Sequence, residues 1–142
     1  MLRKILVAAA AALSIAGAVP AQAQQFINVL TGGTSGVYYP LGVALSNIYA
    51  KAIPGAKSSA QATKASVENL SLIEAGRGEI AFTLGDTLSD AWKGNTEVGF
   101  AKPLKKLRVV AAIYTNYIQI VATGESGIKS LADLKGKRMS VG

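Results

Sequence analysis

Residues 26–42 read FINVLTGGTSGVYYPLG, which is a short apolar run, a glycine-rich loop and the start of an amphipathic pattern. The run 26–31 predicts a buried strand. After the loop, apolar side chains recur at helical spacing between Pro40 in the first turn and Pro54-Gly55 at the end. They are Leu41, Ala44, Leu45, Ile48 and Ala52. The stretch therefore predicts a strand, a loop and a helix, in the order typical of an α/β fold.

The same alternation continues along the chain. Further strands are predicted at 56–61, 80–84, 107–114, 117–123 and 138–141. Ser66 is predicted to cap a helix that carries Val67, Leu70 and Ile73 and stops at Gly76. Capping-box spacing also predicts helix starts at Thr87 with Asp90, ending near Gly94, and at Ser130 with Asp133. Strands that alternate with helices predict an α/β domain with a mostly parallel sheet.

The composition excludes several kinds of chemistry. The 142 residues include 15 Lys and Arg, 8 Asp and Glu, and no His or Cys. The chain therefore has no Ser-His-Asp triad, no imidazole or thiolate zinc site and no disulfide. We expect no metal, no cofactor and no catalytic residue.

Residues 1–23 have the three parts of a secretory signal peptide. A basic start (Arg3, Lys4) precedes an apolar stretch, and Ala21-Gln22-Ala23 offers a small-residue cleavage site. Cleavage after Ala23 removes two of the positive charges behind the formal net charge of +7. Because no Cys is present to carry a lipid, we expect a freely diffusing periplasmic protein.

The glycine-rich loop is the candidate binding motif. Its glycines allow close backbone approach, and the hydroxyls of Thr34, Ser35 and Tyr38 can donate hydrogen bonds together with the N–H groups that begin the helix. This combination favours a carboxylate or phosphate, although a plain connecting turn fits the loop equally well. The loop matches neither Walker A, since no Lys follows Gly36, nor the dinucleotide fingerprint.

Four segments in order resemble a known family. They are residues 26–42, residues 62–70 (ATKASVENL), residues 78–82 (GEIAF) and residues 131–142 (LADLKGKRMSVG). They resemble the TAXI family, the extracytoplasmic solute-binding proteins of tripartite ATP-independent periplasmic (TRAP) transporters. The resemblance covers nearly the whole chain after residue 23.

The resemblance implies a type II periplasmic-binding-protein-like fold, in which a cleft between two α/β lobes captures a small carboxylate or amino acid, often glutamate-like, for a membrane permease driven by an ion gradient. It implies a first lobe at 24–116, then the crossing and the truncated start of a second lobe at 117–142. Gly33, Thr34, Ser35, Gly36 and Tyr38 would line the cleft, joined by Thr63, Ser66, Asp86, Asn116 and Tyr117. Asp86 would suit a ligand ammonium group. Asn116 stands where the family often has an acidic residue, which weakens the case for amino-group recognition.

Other interpretations remain open at this point. A small secreted hydrolase or transferase would use the glycine-rich loop as an oxyanion or phosphate site, with Asp86 or Asp90 as the base. A fragment without its second lobe would bind nothing. The basic cluster of Lys102, Lys105, Lys106 and Arg108 predicts a solvated loop rather than a nucleic-acid site. Trp92 is predicted to be buried, and the protein is expected to be a monomer.

Overall fold

The computed structural model describes residues 24–140. The predicted signal peptide, 1–23, lies outside the described residues, as do Val141 and Gly142. The chain divides into two units, Met1–Val109 and Val110–Gly142. All strands and α-helices of the described residues belong to the first unit.

The first unit alternates strands and helices. In chain order they are β1 (Phe26–Leu30), α1 (Tyr38–Ala52), β2 (Lys57–Gln61), α2 (Ser66–Glu74), β3 (Ile80–Ala81) and α3 (Gly85–Lys93). The strands form a parallel sheet in the order β2-β1-β3, with Val29 opposite Ala60 of β2 and Ile80 of β3. The predicted α/β class with a parallel sheet is confirmed, and the unit is consistent with part of a periplasmic-binding-protein-like lobe.

Helix α1 packs on β1 and β2 through small residues. Its buried positions are Gly42 and Ser46, whereas the predicted apolar face is largely exposed, with Ile48 at 58%. The predicted extent of the helix is right, but the face assigned to the sheet is wrong. The physical reason is close approach, since a Cβ at position 42 would overlap the Cγ2 of buried Thr31.

Helices α2 and α3 pack together around a separate core. Leu70 of α2 and Ala91 of α3 are buried there with residues from the segment that follows α3. These are Phe100, Leu104 and Leu107. The solvated loop expected after α3 is therefore anchored by three apolar side chains, while its Lys and Arg side chains are exposed.

The strand predictions are confirmed in the first half of the unit and fail later. Strand β2 forms as predicted, but β3 has only two residues. Residues 107–114, 117–123 and 138–140 have no regular strand structure, so those predictions are wrong. A strand needs a neighbour for its N–H and C=O groups, and no part of 24–140 forms a ladder with these segments. Their apolar side chains stay exposed, as at Val121 (92%).

Two of the three predicted helix starts are wrong in detail. Ser66 is the first residue of α2 rather than its cap, and α3 begins at Gly85, so Thr87 and Asp90 form no capping box. The box of Ser130 and Asp133 is present and opens the 3₁₀ helix Leu131–Leu134 in the second unit. Backbone N–H groups of Lys129 and Ser130 and the Ser130 hydroxyl lower the pKa of the Asp133 carboxyl.

Within residues 24–140, no helix is long and apolar enough to cross a membrane.

Gly42→Ala is expected to lower the free energy of unfolding by about 1–3 kcal/mol, the usual cost of overpacking. The Thr31 side chain cannot rotate away freely, because its Oγ1 donates to the Gln61 carbonyl at 2.7 Å. Urea denaturation measures the change. Gly33→Ala is the control, since a Cβ there meets nothing within 4 Å. An unchanged or higher value for G42A, as helix propensity alone predicts, would contradict this close packing.

Candidate functional site

The carboxyl ends of the strands gather the starts of all three α-helices of the first unit. Because the sheet is parallel, α1, α2 and α3 each begin at the same edge, after the loops that follow β1, β2 and β3. None of these three helices has a side-chain hydrogen bond at its N-cap. Each start also carries the positive end of a helix dipole. The edge therefore combines backbone N–H groups with helix dipoles, an arrangement that suits an anion most at α1, because α2 and α3 carry Glu68 and Asp86 in their first turns.

The buried amide of Asn69 ties this edge together. Asn69 is fully buried in α2, and its Nδ2 donates to the Thr31 carbonyl after β1 at 2.6 Å and to the Phe82 carbonyl after β3 at 2.8 Å. Its Oδ1 accepts from the Thr63 hydroxyl after β2 at 2.6 Å. One side chain thus bonds to the segment that follows each of the three strands.

Two predicted site residues reinforce the same junction. The Thr63 Oγ1 lies 3.1 Å from the Thr31 carbonyl oxygen. The same Thr63 Oγ1 accepts a hydrogen bond from the Ala65 N–H at 3.0 Å. Buried Ser66 accepts from the Leu84 N–H at 3.0 Å, which joins the start of α2 to the loop before α3. These hydroxyls hold the loops in place, and their contact with a ligand stays a prediction.

Ala65, immediately before α2, has a strained backbone. Its φ of 66° and ψ of −144° lie in a region that is favourable only for glycine. The conformation is held by the Thr63 bond and by Glu68, whose carboxylate accepts from the Lys64 N–H at 2.6 Å. The second loop is therefore held in a strained conformation. A Cβ added at Gly32 of the first loop would lie 3.4 Å from the Ala65 Cβ.

An aromatic pair lies where the strand order changes direction. The sheet order β2-β1-β3 places this switch between β1 and β3, the usual position of ligand clefts in open α/β sheets. Tyr38, at the start of α1, and Phe82, after β3, stack there with ring centroids 5.3 Å apart and an interplanar angle of 21°. Their rings form an apolar wall beside the polar helix starts.

The glycine-rich loop is a tight, exposed turn. The Gly36 N–H donates to the Gly33 carbonyl at 2.9 Å, and the side chains of Thr34 and Ser35 are exposed. Position 33 has open space around it. The loop leaves its two hydroxyls accessible at the edge, as its proposed binding role requires.

The remaining predicted site residues lie in α3 of the first unit and in the second unit. Asp86 is exposed in the first turn of α3, and its Oδ1 accepts from the Thr87 N–H at 2.6 Å. Asn116 and Tyr117 belong to the second unit, in an exposed stretch without regular structure. Their role at a crossing between lobes stays a prediction. Nowhere in 24–140 do three or more carboxylates come together as a possible metal site.

The sequence alone did not identify the residues that organise the edge. Asn69 enters the sequence analysis only as part of the segment 62–70, and Thr31 only as the end of a predicted strand. The available signal was the position of Asn69, one residue before buried Leu70 on the inner face of α2. A polar amide on the buried side of a short helix indicates hydrogen bonds to other elements.

Asn69→Asp is expected to lower the free energy of unfolding at neutral pH by about 3–5 kcal/mol, because a buried carboxylate would face two carbonyl oxygens it cannot bond. Urea denaturation measures the loss. Acid should relieve part of it, since a protonated carboxyl can donate one bond. Ser71→Ala, at an exposed position of the same helix, is the control. Equal stability of both variants would contradict the role given to Asn69.

Comparison with known proteins agrees with a binding role. The model of the NMT1-like family matches residues 29–142, which includes the whole candidate edge. This family is related to periplasmic solute-binding proteins, and it is a family of binding proteins rather than enzymes. The match supports a small-molecule ligand, without identifying it.

Proposed function

The chain belongs to the NMT1-like family, and from this premise we propose that it is an extracytoplasmic solute-binding protein that captures a small carboxylate or amino acid at the carboxyl edge of its sheet. The convergence of three helix starts carries this proposal, above all that of α1, which has neither a side-chain cap nor an acidic residue in its first turn. Each helix dipole stabilises an anion at its N-terminus by roughly 0.3–1 kcal/mol.

The arrangement of the edge favours a ligand with two kinds of group. The exposed hydroxyls of Thr34 and Ser35 supply donors for a carboxylate, and the Tyr38–Phe82 pair supplies an apolar surface for a carbon chain. Asp86 presents a carboxylate for an ammonium group at the start of α3. A glutamate-like amino acid combines the groups that these residues would recognise.

The transport system that we propose is of the TRAP type, with this chain as its TAXI-family solute-binding subunit. Support comes from the four ordered sequence segments, of which GEIAF runs through β3 and SVENL begins α2. The partner would then be a membrane permease that takes up the solute with an ion gradient.

L-Glutamate is expected to raise the thermal unfolding midpoint in a concentration-dependent way, by mass action on the folded state. Differential scanning fluorimetry with L-glutamate, succinate and L-glutamine measures the effect. Asp86→Asn should weaken L-glutamate binding about threefold to tenfold, since it removes one exposed charge pair, and should leave succinate binding unchanged.

Glu97→Gln is the matched control, because it removes one exposed carboxylate outside the edge. It should bind L-glutamate and succinate like the unaltered chain. Anion capture at the helix starts would be contradicted if none of the anions raised the thermal unfolding midpoint. It would also be contradicted if a neutral diamide of the same length raised the midpoint equally.

We also propose that residues 1–23 direct export to the periplasm and are removed there. The basic start, the apolar stretch and the Ala21-Gln22-Ala23 site support this proposal. Intact mass spectrometry of the chain after expression in a double-membraned bacterium should give a periplasmic product beginning at Gln24. Ala23→Asp should block cleavage, because the processing site requires small residues. Cytoplasmic product with Met1 retained would contradict the proposal.

A further inference from the structure

A groove of about 570 Å³ lies along α3, between the helix from Gly85 onward and the segment that follows the helix. We call it the α3 groove. It is lined by Leu88 and Trp92 of the helix and by Lys105, Leu107, Arg108 and Val109 of the following segment. None of these residues takes part in the proposed solute contacts, so the groove needs its own explanation.

The floor of the α3 groove is apolar and accessible. Leu88 and Trp92 are four residues apart on one helix face, and the chain's only tryptophan is 46% exposed, so the prediction that it is buried is wrong. Val109 is 72% exposed beside buried Leu107. An exposed tryptophan in an apolar recess is typical of sites that hold a partner's side chain.

The rim of the α3 groove is positively charged and held in place. The Lys105 ammonium lies 4.1 Å from the centroid of the Trp92 ring and donates to the Trp92 carbonyl at 2.8 Å. The Arg108 guanidinium donates to the Lys105 and Leu107 carbonyls at 3.0 and 2.7 Å. These bonds hold both cations in place at the rim in the unbound protein, which lowers the entropic cost of ordering the two side chains when a partner binds.

Among residues 24–140, no carboxylate forms a salt bridge with Lys105 or Arg108. Two nearby acids are already engaged, since Glu74 accepts from the Lys106 N–H at 3.0 Å and Asp90 accepts from the Asn95 amide at 3.0 Å. Lys102 and Lys106 add charge of the same sign to this segment. The rim therefore complements negative charge supplied from outside.

We propose that the α3 groove docks an acidic segment of a protein partner, with one apolar side chain of that segment against Trp92 and flanking carboxylates on Lys105 and Arg108. The apolar groups favour a protein over a lipid surface, because Leu107 is buried and Leu88 half-buried in a recess instead of protruding. Nucleic acid is disfavoured because the groove has a single aromatic, Trp92, and Lys105 already contacts its ring. The proposal does not depend on the identity of the solute.

Trp92 fluorescence tests the docking directly, because no other residue of the chain contributes tryptophan emission. The probe is a blocked hexapeptide of two glutamates, two leucines and two glutamates, titrated into the full chain at low salt. We expect a saturable change in Trp92 emission that weakens as salt rises. The peptide with glutamines in place of glutamates, and the one with glycines in place of leucines, should each bind at least about threefold more weakly.

The double variant Lys105→Gln/Arg108→Gln should weaken binding of the acidic probe by about threefold to tenfold. Lys51→Gln/Lys57→Gln loses the same charge at exposed positions of α1 and β2 and should bind like the unaltered chain. Equal weakening by the two pairs would overturn the proposal in favour of bulk charge.

Two further outcomes would also overturn it. One is equal binding of the acidic and glutamine peptides by the unaltered chain, a result that requires no variant to fold. The other is an emission change with phosphatidylglycerol vesicles that the acidic peptide does not compete away, which would assign the groove to a membrane surface.

Discussion

The carboxyl edge of the sheet depends on one buried amide. Where parallel strands end, their last carbonyl groups lose the ladder and need other partners if they are to stay away from water. Asn69 supplies two donors and one acceptor at the point where the segments after β1, β2 and β3 meet. Only a side chain with both donors and an acceptor can bond to a hydroxyl donor and two carbonyl acceptors together. The position of α2 over the sheet is therefore set by hydrogen bonding as much as by apolar packing.

The convergence of the helix starts follows from this junction. Because Asn69 holds Thr31, Thr63 and Phe82 together, the three loops that lead into the helices cannot spread apart. Ala65 adopts a glycine-like backbone conformation in the loop between β2 and α2. The hydroxyl of Ser66 then fixes the entry to α3. Interior polar groups thus build the edge, while the side chains of Thr34 and Ser35 stay exposed beside it.

Local pattern in the sequence was enough to predict much of the fold, since β1, α1, β2 and α2 rest on periodicity and turn residues within each segment. It failed where distant contacts decide the outcome. The inner face of α1 is chosen by the fit of Gly42 against Thr31, and residues 107–123 lack the neighbour that a strand needs. The glycine-rich loop is suggestive by its residue types and Asp86 by the family resemblance, and the contact of both with a ligand stays a prediction. Asn69 and Phe82 were missed because their importance comes from other strands.

Helix α3 carries two surfaces with different chemistry, and its packing explains how. Ala91 is fully buried against α2, and Gly94 ends the helix with a φ of 75° where Pro103 leaves no room for a Cβ. The helix is thereby fixed at its carboxyl end, so Asp86 in its first turn and Trp92 in its last keep constant positions relative to each other. A nine-residue helix can thus present a carboxylate at the carboxyl edge of the sheet and an aromatic in the α3 groove.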